Sequence, residues 1–407
     1  MQMYIIGAGM GNTDGLTGHA RNLIVRAGAV LTTSRLYSQL VDLNDNTICL
    51  GIDELAEKAI SLKNSHDMVC VLVSGDAGFY SVSGRLTAVL KTAGIKPQCV
   101  SGISSLQYLA NAVGTTYNDA VTVSVHGRDT SVVPYVCYNA KVFVLTGGPV
   151  KAHNLIADLV RVGLGDVRVT AGENLGAPNQ RLVTDRAANL TEHTFDDLTT
   201  LLVQNPAAVK YWDIISDSAF IRGQTPMTKQ AVRRFVLAKL AIAPGDTFLD
   251  IGAGTGSVSI EAARLAHQGT VYAVEKDAEA MGLIRQNIKK FSAHNVEVIE
   301  GEAPDVLENL PAMEKVFIGG GGKRLDAIIA ALRAKTPRIH LVLAAVTLET
   351  LTTAVTLFNT HKLAHEVVCL NVAKAEQRGA YHLMEAENPV YIISAAIDFR
   401  MDFRKAP

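Results

Sequence analysis

Residues 249–256 read LDIGAGTG, and a near echo, YIIGAGMG, stands at residues 4–11. The first places a GxGxG turn between an apolar run, DTFLDI, and an amphipathic stretch, SVSIEAARLA. That spacing predicts strand, glycine turn and helix in immediate succession. Glycines keep the turn free of side chains, so backbone N–H groups and the helix N-terminus face a ligand directly. Glu275 closes the next predicted strand, where an acid that binds ribose hydroxyls belongs, a third strand end carries Glu302 in EGEAP, and Asp250 precedes the turn. The pattern suits a dinucleotide or S-adenosylmethionine. Acids would repel a pyrophosphate, whereas they suit a cofactor with a sulfonium, an amino group and no phosphate. A tight turn without a ligand is the alternative for a lone glycine triplet; acids at successive strand ends favour binding.

The alternation continues on both sides. Downstream of Pro244, GTVYAVEKD, NVEVIEGEAP, KVFIGGGG and RIHLVLAAV interleave with helical patterns, followed by HEVVCLNVA and PVYIISAAI. Upstream, MVCVLVSG, KVFVLTGG and VRVTAGENLG do the same. Such alternation defines an α/β fold with parallel sheets, whose ligands bind beyond the carboxyl ends of the strands. The 407 residues suggest two to three domains, and 48% hydrophobic with 19% charged residues fits sheets covered on both faces. PAAVKYWDIISDSAFIR breaks the pattern and carries the only tryptophan, Trp212. The expected division is a first domain over residues 1–205, a linker over 206–220 and a second domain over 221–407.

Several classes are disfavoured. The net charge is -1 and aromatic residues make up 6%, with no sign of the basic field and stacking platform of a nucleic-acid binder. MQMYIIGAGMG has no basic region and reads as a strand, not a secretory signal. No run of about 18 apolar residues points to a membrane span. Cys49, Cys70, Cys99, Cys137 and Cys369 are odd in number and form no CxxC pair, which suggests a reduced, cytoplasmic protein with no metal site.

DIGAGTGSVSIEAARLA, VEKDAEAMGLIRQNIKKF, EGEAPDVL, FIGGGGKRL, AVTLETL and YHLMEAENPVYI, with FIRGQTPMTKQAVR ahead of them, carry a resemblance that covers about residues 215–398. Together they resemble the C15-methylating, decarboxylating methyltransferases of cobalamin biosynthesis, a class I family. GAGMGNTDGLT, VSGDAGFYS, SGISSLQ and GENLG, within residues 3–204, resemble the tetrapyrrole methylase family, in particular its C5-methylating type. The resemblance implies a two-lobed tetrapyrrole methylase fold followed by a Rossmann-like class I methyltransferase fold. It also implies two S-adenosylmethionine sites per chain. The first is carried onto Met10, Gly75, Asp76, Ala77, Ser104, Ser105 and Gly172. The second is carried onto Thr228, Asp250, Gly252, Ala253, Gly254, Thr255, Gly256, Glu275, Glu302 and Ala303. The chain departs from the families at GGGGKRL, where a serine is usual, at Met10 and Asn12, where Pro and Asp are common, and at Ala77, which replaces a proline. Without the fixed φ of proline, the loop at Ala77 is expected to be more flexible.

The implied activity is methylation at C5 and C15 of a corrinoid precursor, a precorrin or its cobalt form, with loss of the ring C acetate as carbon dioxide. An electron-rich macrocycle and an activated methyl group need positioning and dryness more than a strong base. The substrate's carboxylates call for cations: Arg222, Lys229, Lys323, Arg324 and Arg378 are the candidates, each with a surface ion pair as its alternative role. His382 is the implied proton donor or acceptor, against a merely hydrogen-bonded histidine. His361 and His365 have helical i, i+4 spacing but no third ligand, so a solvated helix end is expected. A homo-oligomer without nucleic acid or membrane partners is expected. An RNA methyltransferase and a cofactor-binding sensor or scaffold remain as alternatives.

Overall fold

The computed structural model describes residues 1–125, 130–211, 214–320 and 324–398. Two compact units divide the chain, residues 1–132 with 141–204 and residues 133–140 with 205–407.

The first unit holds two sheets. Strands β1 (Gln2–Gly7), β2 (Ala29–Thr32), β3 (Thr47–Cys49), β4 (Met68–Val73) and β5 (Gln98–Val100) form an all-parallel sheet in the order β3-β2-β4-β1-β5. Alternate residues of β1 serve opposite faces. Met3 and Ile5 pack with Leu86 and Leu90 of helix Ser83–Thr92, while Tyr4 and Ile6 pack with Leu36 and Leu40 of helix Ser34–Leu40. Both faces are covered, so these strands are apolar throughout. Beyond the strand ends, Gly9 and Gly75 exchange backbone hydrogen bonds of 3.1 and 2.8 Å. A Cβ on Gly7 would lie 2.7 Å from both the Gly102 nitrogen and the Gly75 oxygen, so three loops converge where only glycine fits.

The second sheet comprises β6 (Val121–Ser124), β7 (Lys141–Leu145), β8 (Arg168–Glu173), β9 (Arg181–Arg186) and β10 (Thr199–Gln204), in the order β6-β7-β10-β8-β9. Only β6 and β7 run parallel; the other neighbours are antiparallel, contrary to the parallel pattern read from sequence. The reason is connectivity. A parallel neighbour needs a long crossover, usually helical, whereas β8 returns directly into β9 through a short loop.

In the second unit, β11 (Phe248–Ile251), β12 (Val271–Glu275), β13 (Val296–Glu300), β14 (Lys315–Ile318), β15 (Arg338–Ala345), β16 (Glu366–Leu370) and β19 (Val390–Asp398) make one seven-stranded sheet. Its order is β13-β12-β11-β14-β15-β19-β16, parallel as far as β15, with β19 antiparallel to both neighbours. A separate hairpin, β17 (Ala373–Arg378) and β18 (Tyr381–Ala386), is exposed along its whole length.

Residues 206–220, read as a linker, run with the second unit, and Ile215 and Phe220 are buried in its core beside Val236 and Leu240. Below them Arg233 is fully buried. Its guanidinium donates to Asp217 at 3.1 Å, to the Thr228 carbonyl at 2.8 Å and to the Ile215 carbonyl at 3.0 Å, and it pairs with Glu261 at 3.0 Å. A buried charge persists only when so paired. Asn287, also buried, accepts from the Ile221 N–H at 2.8 Å and donates to the Ile221 and Thr255 carbonyls at 2.9 and 3.0 Å. One side chain thereby ties the incoming segment to the glycine turn.

Replacing Asn287 by Ala strands three backbone groups and is expected to destabilise the second unit by about 2 to 4 kcal/mol. Urea unfolding followed by circular dichroism measures this; an unchanged midpoint would mean that water takes over the three bonds.

Candidate active sites

The second-unit cleft, about 530 Å³, opens at the carboxyl ends of β11, β12, β13 and β14, and Thr225, Pro226, Gly252, Gly254, Gly301 and Gly320 form much of its wall. Strand β11 stops at Ile251, the turn follows, and helix Ser257–Leu265 begins behind Gly256. At Gly252, φ is +76° and a Cβ would come within 2.8 Å of the Gly320 nitrogen. Glycine therefore lets the loop after β14 close against the turn. Glu275 ends β12, and its carboxylate accepts from the N–H groups of Gly254 (2.9 Å), Lys276 (2.8 Å) and Asp277 (3.0 Å). Glu302 faces the same cleft and accepts from Lys276 Nζ at 3.0 Å. Asp250 is buried beneath the turn, hydrogen-bonded by the Ser259 hydroxyl at 2.5 Å, while Oδ1 has no partner among the described residues. Burial pushes the Asp250 carboxyl up to about 7, and the Glu275 charge adds to the effect despite the Ser259 hydrogen bond.

The donor set fits a cationic cofactor without phosphate. Lys276 is engaged by Glu302, and Arg324 makes a two-pronged pair with Asp305 at 2.7 and 2.8 Å. Neither of these cations is left over for a pyrophosphate, while two carboxylates and the bare turn face the space.

Of the other residues singled out in sequence, Ala303 lines the cleft. Ala253 and Thr255 are buried in the turn, and Thr228 stands half-buried with its carbonyl holding Arg233. Arg222 and Lys229 are exposed, Lys229 capping helix Gln230–Leu240. Arg378 closes β17 rather than occupying a loop and pairs with Glu385 and Glu376. His382 is exposed on β18 opposite Gln377, outside the cleft lining. His361 caps helix Leu348–Thr360 and meets Asp326 at 3.2 Å; His365 bonds the Leu363 carbonyl at 2.9 Å. Lys323 lies outside the described residues.

The first-unit cleft, about 410 Å³, draws Met10, Gly75, Asp76, Ser104 and Ser105 from the parallel sheet's loops. Its other wall brings Thr146, Leu198, Thr199 and Thr200 from the second sheet and its loops. Asp76 accepts from the Gly78 N–H at 2.8 Å and from the Gly102 N–H at 2.9 Å, so its carboxylate joins two loops. Ser104 caps helix Ser105–Ala112 in a reciprocal capping box with Gln107. Ala77 is buried behind the loop, its carbonyl accepting from the Ser83 hydroxyl, and Gly172 packs within β8 against Leu175 and Leu109; neither lines the cleft. Asn12 donates to the Gly176 carbonyl at 2.9 Å. Arg35, Gln39, Tyr80 and Asn174 also line this cleft; Tyr80 and Asn174 lie within the quoted motifs but are not singled out there, and no motif covers Arg35 or Gln39.

Two strand-end clefts built from glycine turns and acids, on two unrelated sheets, define the class: S-adenosylmethionine-dependent methyltransferases. Residues 219–396 match the model described as a precorrin methyltransferase domain, and residues 2–191 match that of the tetrapyrrole (corrin/porphyrin) methylases. The chain belongs to the precorrin methyltransferase family, with a tetrapyrrole methylase domain ahead of the precorrin methyltransferase domain. A probable cobalt-precorrin-6B C(15)-methyltransferase (decarboxylating) from Pyrobaculum calidifontis is 44% identical over 184 residues, 44% of this chain and 94% of that protein. A precorrin-6Y C(5,15)-methyltransferase [decarboxylating] from Sinorhizobium is 29% identical over 381 residues, 92% of this chain and 91% of that protein. The crystal structure of a precorrin-6Y C5,15-methyltransferase from Geobacter metallireducens is 44% identical and covers 45% of this chain and 95% of that one, with a TM-score of 0.43.

Asp250 gives this unit a pH signature. Unfolded, the carboxyl ionises near its ordinary 3.8; folded, it holds its proton up to about 7. Its contribution is therefore fully present below pH 3.8 and is lost as pH rises through about 7, a decline of up to about 4 kcal/mol. Asp250→Asn is expected to flatten that decline. Thermal midpoints of both proteins between pH 4 and 8 measure it, and parallel curves would refute it.

Proposed function

We propose that the chain is a bifunctional methyltransferase that methylates C5 and C15 of a corrinoid precursor and removes the ring C acetate as carbon dioxide, within cobalamin biosynthesis. The observation that carries this reading is the pair of separate strand-end clefts in one chain, each with its own glycine turn and carboxylate. The names of the Sinorhizobium and Pyrobaculum relatives support it, the first for both carbons and the second for C15. C5 methylation falls to residues 1–205, and C15 methylation with decarboxylation to residues 221–407.

When bound, S-adenosylmethionine supplies a methyl group on positive sulfur, one molecule in each cleft. Glu275, held by three N–H groups, presents its carboxylate to the ribose; Glu302, the second acid of that cleft, adds negative potential near the sulfonium. The bare turns bring backbone against the cofactor, so that position governs the rate. His382, whose imidazole has no hydrogen bond among the described residues, supplies the proton that replaces carbon dioxide in this reading. Arg222, Lys229, Lys323, Arg324 and Arg378 are the proposed partners of the substrate's carboxylates, with Arg324 and Arg378 exchanging Asp305 and Glu385 for them on binding. A cytoplasmic setting is supported by five free cysteines, and no described helix is long and apolar enough to cross a membrane.

Two variants separate the reactions. Asp76→Arg removes the tie between Gly78 and Gly102 and is expected to abolish C5 methylation while C15 methylation and decarboxylation continue. Glu275→Ala is expected to weaken cofactor binding in the second unit by about 1.5 to 3 kcal/mol, so that C15 methylation and decarboxylation fail together at limiting cofactor. Calorimetry on the unaltered chain should count two cofactor equivalents. A count of one, or C5 loss from Glu275→Ala with C15 spared, would overturn the assignment.

A homo-oligomer completes the proposal. Tyr381, Leu383 and Met384 on the exposed hairpin are 75%, 55% and 66% accessible, and an isolated two-stranded hairpin is marginal in water. Replacing Leu383 and Met384 together by Glu should lower the mass seen in sedimentation velocity; a monomeric parent protein would refute this part.

A further inference from the structure

Arg35 carries information that the sequence motifs do not. It is the second residue of helix Ser34–Leu40, whose Leu36 and Leu40 are locked into the core of the first unit, so its backbone position is set by packing next door. The side chain is half-buried and lines the first-unit cleft. Its one hydrogen bond among the described residues goes to the Met10 carbonyl at 3.4 Å, long for a charged donor, and no carboxylate stands within ion-pair distance of it among those residues. Burial lowers its pKa below the ordinary arginine value: the guanidinium has lost water and gained no anion. Asp76 shares the cleft, but both of its oxygens are occupied by the Gly78 and Gly102 N–H groups. The result is a two-pronged cationic donor facing a cavity whose lining, apart from Asp76, is polar but uncharged, as at Gln39 and Asn174, or carries aromatic and aliphatic surface, as at Phe79, Tyr80 and Leu198.

A desolvated guanidinium without a partner is unfavourable, and a carboxylate on a bound ligand removes the deficit. Two ligands of the proposed reaction bear carboxylates. The amino-acid end of the cofactor carries its carboxylate beside an ammonium on the same carbon, a neutral pair that backbone donors and acceptors can satisfy. The acetate and propionate arms of a corrinoid precursor carry uncompensated charge, which calls for a full cation. Phe79, Tyr80 and Leu198, which line the same cleft, suit the flat face of such a macrocycle.

We propose that Arg35 anchors a side-chain carboxylate of the macrocycle at the C5-methylating site. This rests on the function proposed above and extends it to a residue of the first unit, whereas every cation named there belongs to the second.

The test uses the full chain, with Arg35→Gln and Arg35→Lys. Arg35→Gln should raise KM for the macrocycle in C5 methylation roughly tenfold to hundredfold, the loss of a charge-assisted pair, with kcat within about threefold. S-adenosylmethionine affinity by calorimetry should stay within about twofold, and C15 methylation should not change. Arg35→Lys should recover part of the loss, since it keeps charge but not the planar fork. An unchanged KM in Arg35→Gln overturns the proposal. So does a cofactor Kd weakened tenfold with KM intact, which would assign the carboxylate to the cofactor. Thermal melts exclude misfolding; if Arg35→Gln does not fold, Arg35→Lys carries the same comparison. Should the unaltered chain fail to methylate C5, the functional reading falls. Arg35 is then judged by titrating the visible absorbance of the precursor against parent and variant, where equal affinity refutes it.

Discussion

Strands covered on both faces leave no room for chemistry along their length. Ile5 and Ile6 point to opposite sides of β1 and both are wholly buried, and the paired positions of β4, Val71 and Leu72, are as apolar. A polar group placed there would lose water without gaining a partner. Function is therefore displaced to where the strands stop, and both clefts open at carboxyl ends. Asp250 is an informative exception: a carboxyl at the penultimate residue of β11, kept by one hydroxyl and forced toward its neutral form.

The walls of the second cleft depend on groups that never reach it. Arg233 holds Asp217 and the carbonyls of Ile215 and Thr228, fixing the segment that then supplies Thr225 and Pro226 to the cleft. Asn287 ties that segment to the turn at Thr255. Asn295 plays a similar part at the far end of helix Ser257–Leu265, donating to the carbonyls of Ala263, Ala266 and Gly269, while its own oxygen receives the Tyr138 hydroxyl at 2.8 Å. Buried networks of this kind narrow the positions a wall can take, which is what a reaction governed by placement requires.

Much of this could be read in advance. Glycine turns after apolar runs and Glu275 at a strand end rest on local pattern, and local pattern is what one chain displays; Asp76 and Ser104 come from the family resemblance, and the structure adds that one ties two loops and the other caps a helix. What escaped depends on residues distant in sequence. Leu198, Thr199 and Thr200 reach the first cleft because β10 inserts between β7 and β8, a pairing order no periodicity reveals. Arg35 looks like any surface arginine near the start of a short helix until the cleft is seen beside it. Ile215 and Phe220 lie in a stretch of mixed polarity, yet Arg233 and the core beneath draw it in. The hairpin β17–β18 carries polar and apolar residues with no covered face, so its pattern gave no strand signal.

The convergence of Gly7, Gly75 and Gly102 also bears on how such a protein can change over generations. Any single-base substitution in a glycine codon that changes the amino acid and does not stop translation installs a Cβ, and at Gly7 that atom would stand 2.7 Å from two backbone atoms. The floor of the cleft is closed to mutational exploration one step at a time. Variation in what the cleft accepts has to arise at its rim, at positions such as Tyr80 or Leu198, whose half-exposed side chains can be exchanged without moving the backbone beneath them.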